Sequence, residues 1–365
     1  MTRTRTSTEI EPLPAGLTTA VSTTLDTFID DKQRQLAPIG HELEQLITAA
    51  RRAVHGGKRL RPAFAYWGWR AAGGSADKTD AILTAAAAIE LVHASALAHD
   101  DVMDDSETRR GQPAAHRAFS RRFREAETAR VDAERFGRSA AILLGDLLLS
   151  WSDELLGRSE FKPESMARGR VYFDRLRTEV VAGQYLDLLA QAGGTSSASD
   201  ALRVVRYKSA KYTVERPLQF GAALAKAGKP LLSALSSYGV PLGEAFQLRD
   251  DVLGVFGEAS ITGKPSGDDL REGKRTLLLA RASDKADQSQ RALLDRHVGN
   301  PRVDAAGIAA VQDVIRETGA LAAVETVITE LTAAALSALE HAPLADEDSR
   351  AALRVLSDRA TNRTV

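Results

Sequence analysis

The sequence predicts an all-α fold, a single large helical bundle. Three observations lead there. Apolar residues recur at spacings of three and four over segments much longer than strands. Glycine, proline and serine cluster between those segments, where helices should stop. No low-complexity linker and no fixed-period repeat divides the chain. With 365 residues, 44% of them hydrophobic, a large core is within reach.

Residues 1–15 contain Thr, Arg and Pro and read as a disordered tail. The folded domain is expected over 16–358, with 359–365 as a second tail. LTTAVSTTLDTFIDDKQRQL, from residue 17, spaces its apolar residues for one buried face. DAILTAAAAIELVHASALAHDDV, from residue 80, is Ala-rich and free of glycine and proline, so it should be a long helix. SAAILLGDLLLSWSDELL and ESMARGRVYFDRLRTEVVAGQYLDLLAQA continue the pattern. So do ALRVVRYKSAKYTVERPLQFGAALA and LLSALSSYGVPLGEAFQLRDDVLGVFG. HGGKRLRP, AAGGSADKTD, QAGGTSSASD, KAGKP and ASITGKPSGDD are the expected loops. The Ala-rich stretch from 300 to 358 reads as scaffold.

Composition narrows the function. A net charge of −1 gives no general affinity for nucleic acid or acidic membranes. Without cysteine there is no disulfide, thiolate or sulfur-rich metal chemistry. The N-terminus lacks the apolar core of a signal peptide. No run is read as approaching the roughly 18 apolar residues that span a bilayer. A soluble cytoplasmic protein is expected.

The chemistry concentrates in HDDVMDDSETRRG, residues 99–111. Asp100 and Asp104 share a helical face, with Asp101 beside them. Carboxylates gathered at the negative end of a helix dipole repel one another unless a cation joins them. Mg²⁺ suits this, because it takes one or two carboxylates plus waters and phosphate oxygens. A solvated helix end is the alternative at even weight. Arg109 and Arg110 follow, and guanidiniums bind phosphate oxygens bidentately, although they could equally pair with the acids. FQLRDDVLGVFG repeats the acidic theme at Asp250 and Asp251. HGGKRLRP places Lys58, Arg59 and Arg61 in a Gly-rich loop that an anion can approach. Lys208 and Lys211 sit mid-helix; Lys264, Lys274 and Arg275 lie in or near a loop.

Taken in order, GGKRLRP, LVHASALAHDDVMDDSETRRG, AILLGDLL, GQYLDL, YKSAKYT, FQLRDDVLGVFG and TGKPSGDDLREGKRT resemble the motifs of the trans-isoprenyl diphosphate synthases, the polyprenyl synthetase family. They span about residues 55–280, and the chain most resembles the bacterial geranylgeranyl diphosphate synthases. The resemblance implies an isoprenoid-synthase type bundle around a deep central cavity, usually a homodimer. It implies Mg²⁺-dependent head-to-tail condensation of isopentenyl diphosphate with an allylic partner: dimethylallyl, geranyl or farnesyl diphosphate. About three Mg²⁺ ions would be bound per site together with the diphosphate. Carried over by motif, Asp100, Asp104, Asp250 and Asp251 hold metal, with Asp101 beside them. Arg109, Lys208 and Lys264 grip the allylic diphosphate. Lys58, Arg61, His93 and Arg110 grip isopentenyl diphosphate, and Lys274 joins the substrate-binding set. Gln184, Ser209 and Gln247 lie near the reacting carbons. His93 read alone would be a hydrogen-bonded core histidine.

Two positions depart from the family pattern. Gly254 stands where the second motif commonly has a third aspartate, and Ser209 where threonine is frequent. Asp268 and Asp269 are candidate partners of the lysines or of metal-bound waters. A class I terpene cyclase, a non-catalytic partner subunit and a purely structural bundle are the competing readings. GGKRLRP and the paired arginines weigh against the cyclase; the intact first motif weighs against the partner subunit, with Gly254 the one feature in its favour. Asp100→Ala is expected to abolish turnover and to leave the fold intact by relieving carboxylate repulsion.

The growing chain should run along the Asp100 helix, past Ser95, Ala96 and Val92. The family's farnesyl-making members place aromatic residues at the positions of Ser95 or Ala96. Both are small here, so the expected product is geranylgeranyl diphosphate, with farnesyl or longer polyprenyl products as alternatives. Ala96→Phe should then shorten the product in a mass-spectrometric chain-length assay. An unchanged distribution would remove Ala96 from the tunnel wall.

Overall fold

The computed structural model describes residues 16–125, 132–193, 197–257 and 267–361. The expected N-terminal tail and Lys264 lie outside that set. The described residues are helical, as the sequence predicts, apart from one short hairpin that it does not predict.

Helix α1 (Leu17–Leu36) buries Val21, Leu25, Phe28 and Ile29, the stripe its spacing promised. Next come α2 (Glu44–Val54) and α3 (Leu60–Ala71). Arg61 therefore sits in the first turn of α3 rather than in the Gly-rich loop. Helix α4 (Thr79–Met103) is buried on every side from Ala85 to Val92, so it runs through the centre. It packs on α1, on α3 and on α6 (Ala133–Gly157), with α5 (Ala115–Glu125) beyond.

Helix α7 (Pro163–Gln191) is followed by α8 (Ala198–Val204), which passes into a π-helical stretch, Val205–Glu215, and then α9 (Arg216–Leu224). The N–H of Arg216 reaches back five residues to the Lys211 carbonyl, the π-helical bond. The stretch lies between α7 and α10 (Lys229–Phe256), and glycine on each flank makes room. A Cβ at Gly183 of α7 would stand 2.2 Å from the Lys208 nitrogen. A Cβ at Gly243 of α10 would stand 2.6 Å from the Ala210 Cα. Arg216 ties the end of the stretch back to α7 through two 2.7 Å bonds to Glu179.

Helices α11 (Asp268–Glu272), α12 (Leu277–Lys285), α13 (Gln288–His297), α14 (Ala305–Glu317) and α15 (Ala320–Glu340) build a second apolar cluster against the end of α10. Helix α16 (Glu347–Thr361) returns to the main core. It runs three residues past the expected domain end, because Ala360 and Thr361 are buried.

Contrary to the sequence expectation, two helices are long and apolar enough to cross a bilayer by length and composition. The window in α4 is 72% buried and is core. In α15 the exposed positions include Ala322, Thr326, Thr329, Glu330 and Ser337, which are small or polar. Neither establishes a membrane span.

The close approach at Gly243 gives a test. Gly243→Ala should cost about 1–3 kcal/mol in denaturant unfolding, through overpacking against backbone that cannot move cheaply. Gly157→Ala is the control. Nothing lies within 4 Å of its added Cβ, so it should be neutral or stabilising. Equal behaviour of the two would refute the steric account.

Candidate active site

Helix α4 ends in the first acidic wall. Asp100 and Asp101 close its last turn, and the Asp104 N–H caps onto the Asp100 carbonyl at 2.8 Å. Cations already sit on two of these carboxylates. Lys208 Nζ is 3.3 Å from Asp100 Oδ1, and Gln184 Nε2 donates to the same oxygen at 3.0 Å. Arg109 Nε donates to Asp101 at 2.9 Å, and its Nη2 lies 3.6 Å from Asp100 Oδ2. Burial would raise the Asp100 carboxyl, but Lys208, Lys274 and Arg109 outweigh it and hold it below the ordinary range. This corrects the Asp100→Ala expectation: that change strips partners from two cations instead of relieving strain.

The strained carboxylate is Asp104. Burial, then the charge of Asp100, push it up to about 6. Both its oxygens are buried without a hydrogen bond. Leaving a buried carboxylate unpaired is costly.

After α4 the chain makes a two-residue hairpin, Thr108–Arg109 against Gln112–Pro113. Its central residues, Arg110 and Gly111, have φ of 53° and 71°. Positive φ at both positions is the type I′ geometry. The tight turn separates two arginines that are adjacent in sequence. Arg109 faces the aspartates, while Arg110 Nη1 donates to the His55 carbonyl at 2.6 Å.

Arg110 thereby joins a second, basic cluster. Arg61 donates to Thr213 Oγ1 at 2.9 Å, and its guanidinium lies 4.4 Å from the centre of the Tyr212 ring. Tyr212 Oη is 3.0 Å from His93 Nδ1. Burial, then Arg61 and Arg110, hold His93 well below its ordinary range, so it is a neutral imidazole. Lys58 precedes this cluster in the loop after α2. His93 is thus hydrogen-bonded, as the plain reading held, and also placed among the arginines. Val92, Ser95 and Ala96 share its helix, and Ser209 follows Lys208 in the π-helical stretch.

The second acidic wall closes α10. Asp251 is buried, and burial, then Asp269, raise it to about 7. The amide of Gln247, expected near the reacting carbons, donates to Asp251 at 2.8 Å. Lys274, expected in the substrate-binding set, lies between Asp269 at 2.7 Å and Glu272 at 2.8 Å. Two carboxylates hold its ammonium, whose charge acts on Asp100, Asp104 and Asp251 alike. Lys274 is the shared counter-charge of the two walls, which face each other across it. At Gly254 an added Cβ would meet Asp269 Oδ2 at 1.9 Å, so the Asp269 carboxylate occupies the space where a side chain at this position would begin. Asp187, one turn after Gln184 in GQYLDL, was missed from the sequence. It holds Lys208 Nζ at 2.6 Å.

Among the described residues no three acidic or histidine side chains converge into a ready-made metal cage. Mg²⁺ does not need one, since substrate phosphates and waters complete its octahedron. The donor set fits that ion: an orphaned, buried Asp104 beside Asp100, with a second acidic wall opposite.

A family model described as polyprenyl synthetase matches residues 43–315. The chain belongs to the polyprenyl synthetase family. Its fold matches a geranylgeranyl pyrophosphate synthase of Corynebacterium glutamicum, complexed with isoprenyl diphosphate and magnesium. That match has a TM-score of 0.91 and 41% identity, over 96% of this chain and 99% of the other. A geranylfarnesyl diphosphate synthase of Aeropyrum pernix is 32% identical over 311 residues, 84% of this chain and 91% of the relative. A geranylgeranyl diphosphate synthase of Methanosarcina mazei is 34% identical over 265 residues, 72% and 74% of the two chains. Like these members of the family, the chain is a prenyltransferase; the two relatives' names differ in product length.

Asp104 predicts a pH effect on the metal-free protein. Its folded value of about 6 lies above the ordinary carboxyl value of 3.8, so between those values the native state binds more protons than the unfolded chain. Stability should therefore fall as pH rises from about 4 to 6. Asp251 extends the fall toward 7. Asp104→Asn should flatten the lower part of the window in thermal melts. An unchanged slope would mean that Asp104 is not strained.

Proposed function

We propose that this protein condenses isopentenyl diphosphate head-to-tail with an allylic diphosphate, in a Mg²⁺-dependent reaction, to give geranylgeranyl diphosphate. The observation that carries the reading is the pairing of a cation-clamped acidic site at the end of α4 with a separate basic cluster around His93 of the same helix. A diphosphate with metal suits the first, and a diphosphate without metal suits the second.

Asp100, Asp104 and Asp250 are the residues that would hold the metal, with Asp251 in support. When bound, the metal neutralises the charge that develops on the departing allylic diphosphate. Lys208 and Arg109 turn from the aspartates to that diphosphate and take up the same charge. Lys264 is assigned to the allylic diphosphate by motif alone. Lys58, Arg61 and Arg110 clamp isopentenyl diphosphate, and neutral His93 adds a hydrogen bond without adding charge. The clamp sets its double bond against the allylic carbon. The new carbon–carbon bond forms there, and a proton leaves the adjacent carbon with the diphosphate region as acceptor. Ser95 and Ala96 leave the growing chain room along α4. A longer product is the second reading, supported by the geranylfarnesyl relative.

We also propose a homodimer. Ile142 and Leu143 of α6, and Val181, Tyr185 and Leu189 of α7, are large apolar side chains between 45% and 65% exposed. Spaced as they are on neighbouring helices, they form a face that a second copy would cover. Light scattering should give twice the chain mass.

The test of function is incubation with Mg²⁺, isopentenyl diphosphate and each of the three allylic primers. A twenty-carbon product that EDTA abolishes is expected. No elongation from any primer would overturn the reading in favour of a non-catalytic partner subunit.

A further inference from the structure

The basic cluster rests on a buried ion pair that the reaction does not use. Arg59 is 3% exposed and Glu90 5%. Arg59 Nη1 lies 2.6 Å from Glu90 Oε2, its Nη2 donates to the Val54 carbonyl at 2.7 Å, and Ser22 Oγ is 3.2 Å away. One guanidinium thus ties together α1, the end of α2 and α4. Its own backbone is in the left-handed region, φ 49°, after Gly56 at 72° and Gly57 at 88°. A long side chain adopts that conformation at a cost, and it persists because the bonds to Glu90, Val54 and Ser22 fix the residue.

The pair reaches each member of the basic cluster by a short route. Lys58 precedes Arg59, and Arg61 follows two residues on. His93 stands one turn after Glu90 on the same helix. Arg110 is held by the carbonyl of His55, in the same loop. Glu90 is also a carboxylate whose charge acts on Arg110.

We propose that Arg59 and Glu90 are positioning residues for the isopentenyl diphosphate subsite: the pair fixes the 55–59 loop so that Lys58, Arg61, His93 and Arg110 converge on one diphosphate. The proposal rests on the function proposed above. It follows from what the pair anchors. Two glycines leave the loop backbone many conformations, and the bonds of Arg59 select one. Arg59 is the side chain in the loop that reaches the centre of the bundle. Without it, Lys58 and Arg61 keep their charge and lose their register.

Stability and positioning can be separated. Removing one partner leaves an unpaired buried charge and risks unfolding. Replacing both with apolar residues is often neutral for stability. The experiment is steady-state kinetics of the full chain carrying Arg59→Met with Glu90→Leu, and of Arg59→Lys, with melting temperature measured alongside. The double variant should melt near the wild type, with its KM for isopentenyl diphosphate raised about tenfold or more and its KM for the allylic primer within about twofold. Arg59→Lys keeps the charge and should recover part of the loss. An unchanged KM for isopentenyl diphosphate, or an equal rise for both substrates, overturns the proposal and leaves the pair structural only. If the double variant fails to fold, Arg59→Lys alone decides, by the same split of KM values. If the wild type does not elongate any primer, it is the proposed function that fails.

Discussion

The structure is organised around one electrostatic constraint: charges of both signs must be kept inside a bundle without collapsing onto each other or repelling it apart. The first wall shows how this is managed. Asp100 and Asp101 are held by Lys208, Arg109 and Gln184, while Asp104 has no hydrogen-bond partner. Lys274, locked by Asp269 and Glu272, sits between the two walls and stabilises the negative charge of both. Among the described residues, the protein is thus a charge network with its acids only partly compensated, most plainly at Asp104, whose oxygens have no hydrogen bond, and at buried Asp251. Such a site is cheapest to complete when cation and anion arrive together, because each relieves the charge left by the other.

Backbone geometry makes the network possible. The π-helical stretch brings Lys208 toward Asp100 and Asp187, and Tyr212 toward His93 and Arg61. It does so because α7 and α10 offer glycine where the backbones meet. The type I′ hairpin then directs consecutive arginines apart, Arg109 to the aspartates and Arg110 to the His55 carbonyl. Both devices are departures from regular helix, and both occur where side chains must be aimed.

Much of this was legible in the sequence. Helix α1 begins and ends where its apolar spacing says, and the Asp-rich motif does end a long Ala-rich helix. Cations near the acids could be listed from sequence, but their partners could not. Sequence spacing places Gln247 near Asp251 without saying that the two bond, and it lists Lys274 as one more loop cation. The relief of repulsion was assigned to Asp100 rather than Asp104, because Lys208 arrives from a helix more than a hundred residues away. Asp187 was hidden inside a motif read for its glutamine. Gly254 looked like a lost ligand until the fold placed Asp269 against it.

The central claim is an exchange of partners, with Lys208 and Arg109 released from aspartates to diphosphate as metal takes the carboxylates. The most direct measurement is calorimetric binding of inorganic diphosphate to the full chain, with Mg²⁺ and with EDTA. The account predicts affinity at least about tenfold higher with Mg²⁺, since without it the aspartates keep the cations. Equal affinity in EDTA would contradict it, because the cations would then be open to phosphate without any exchange.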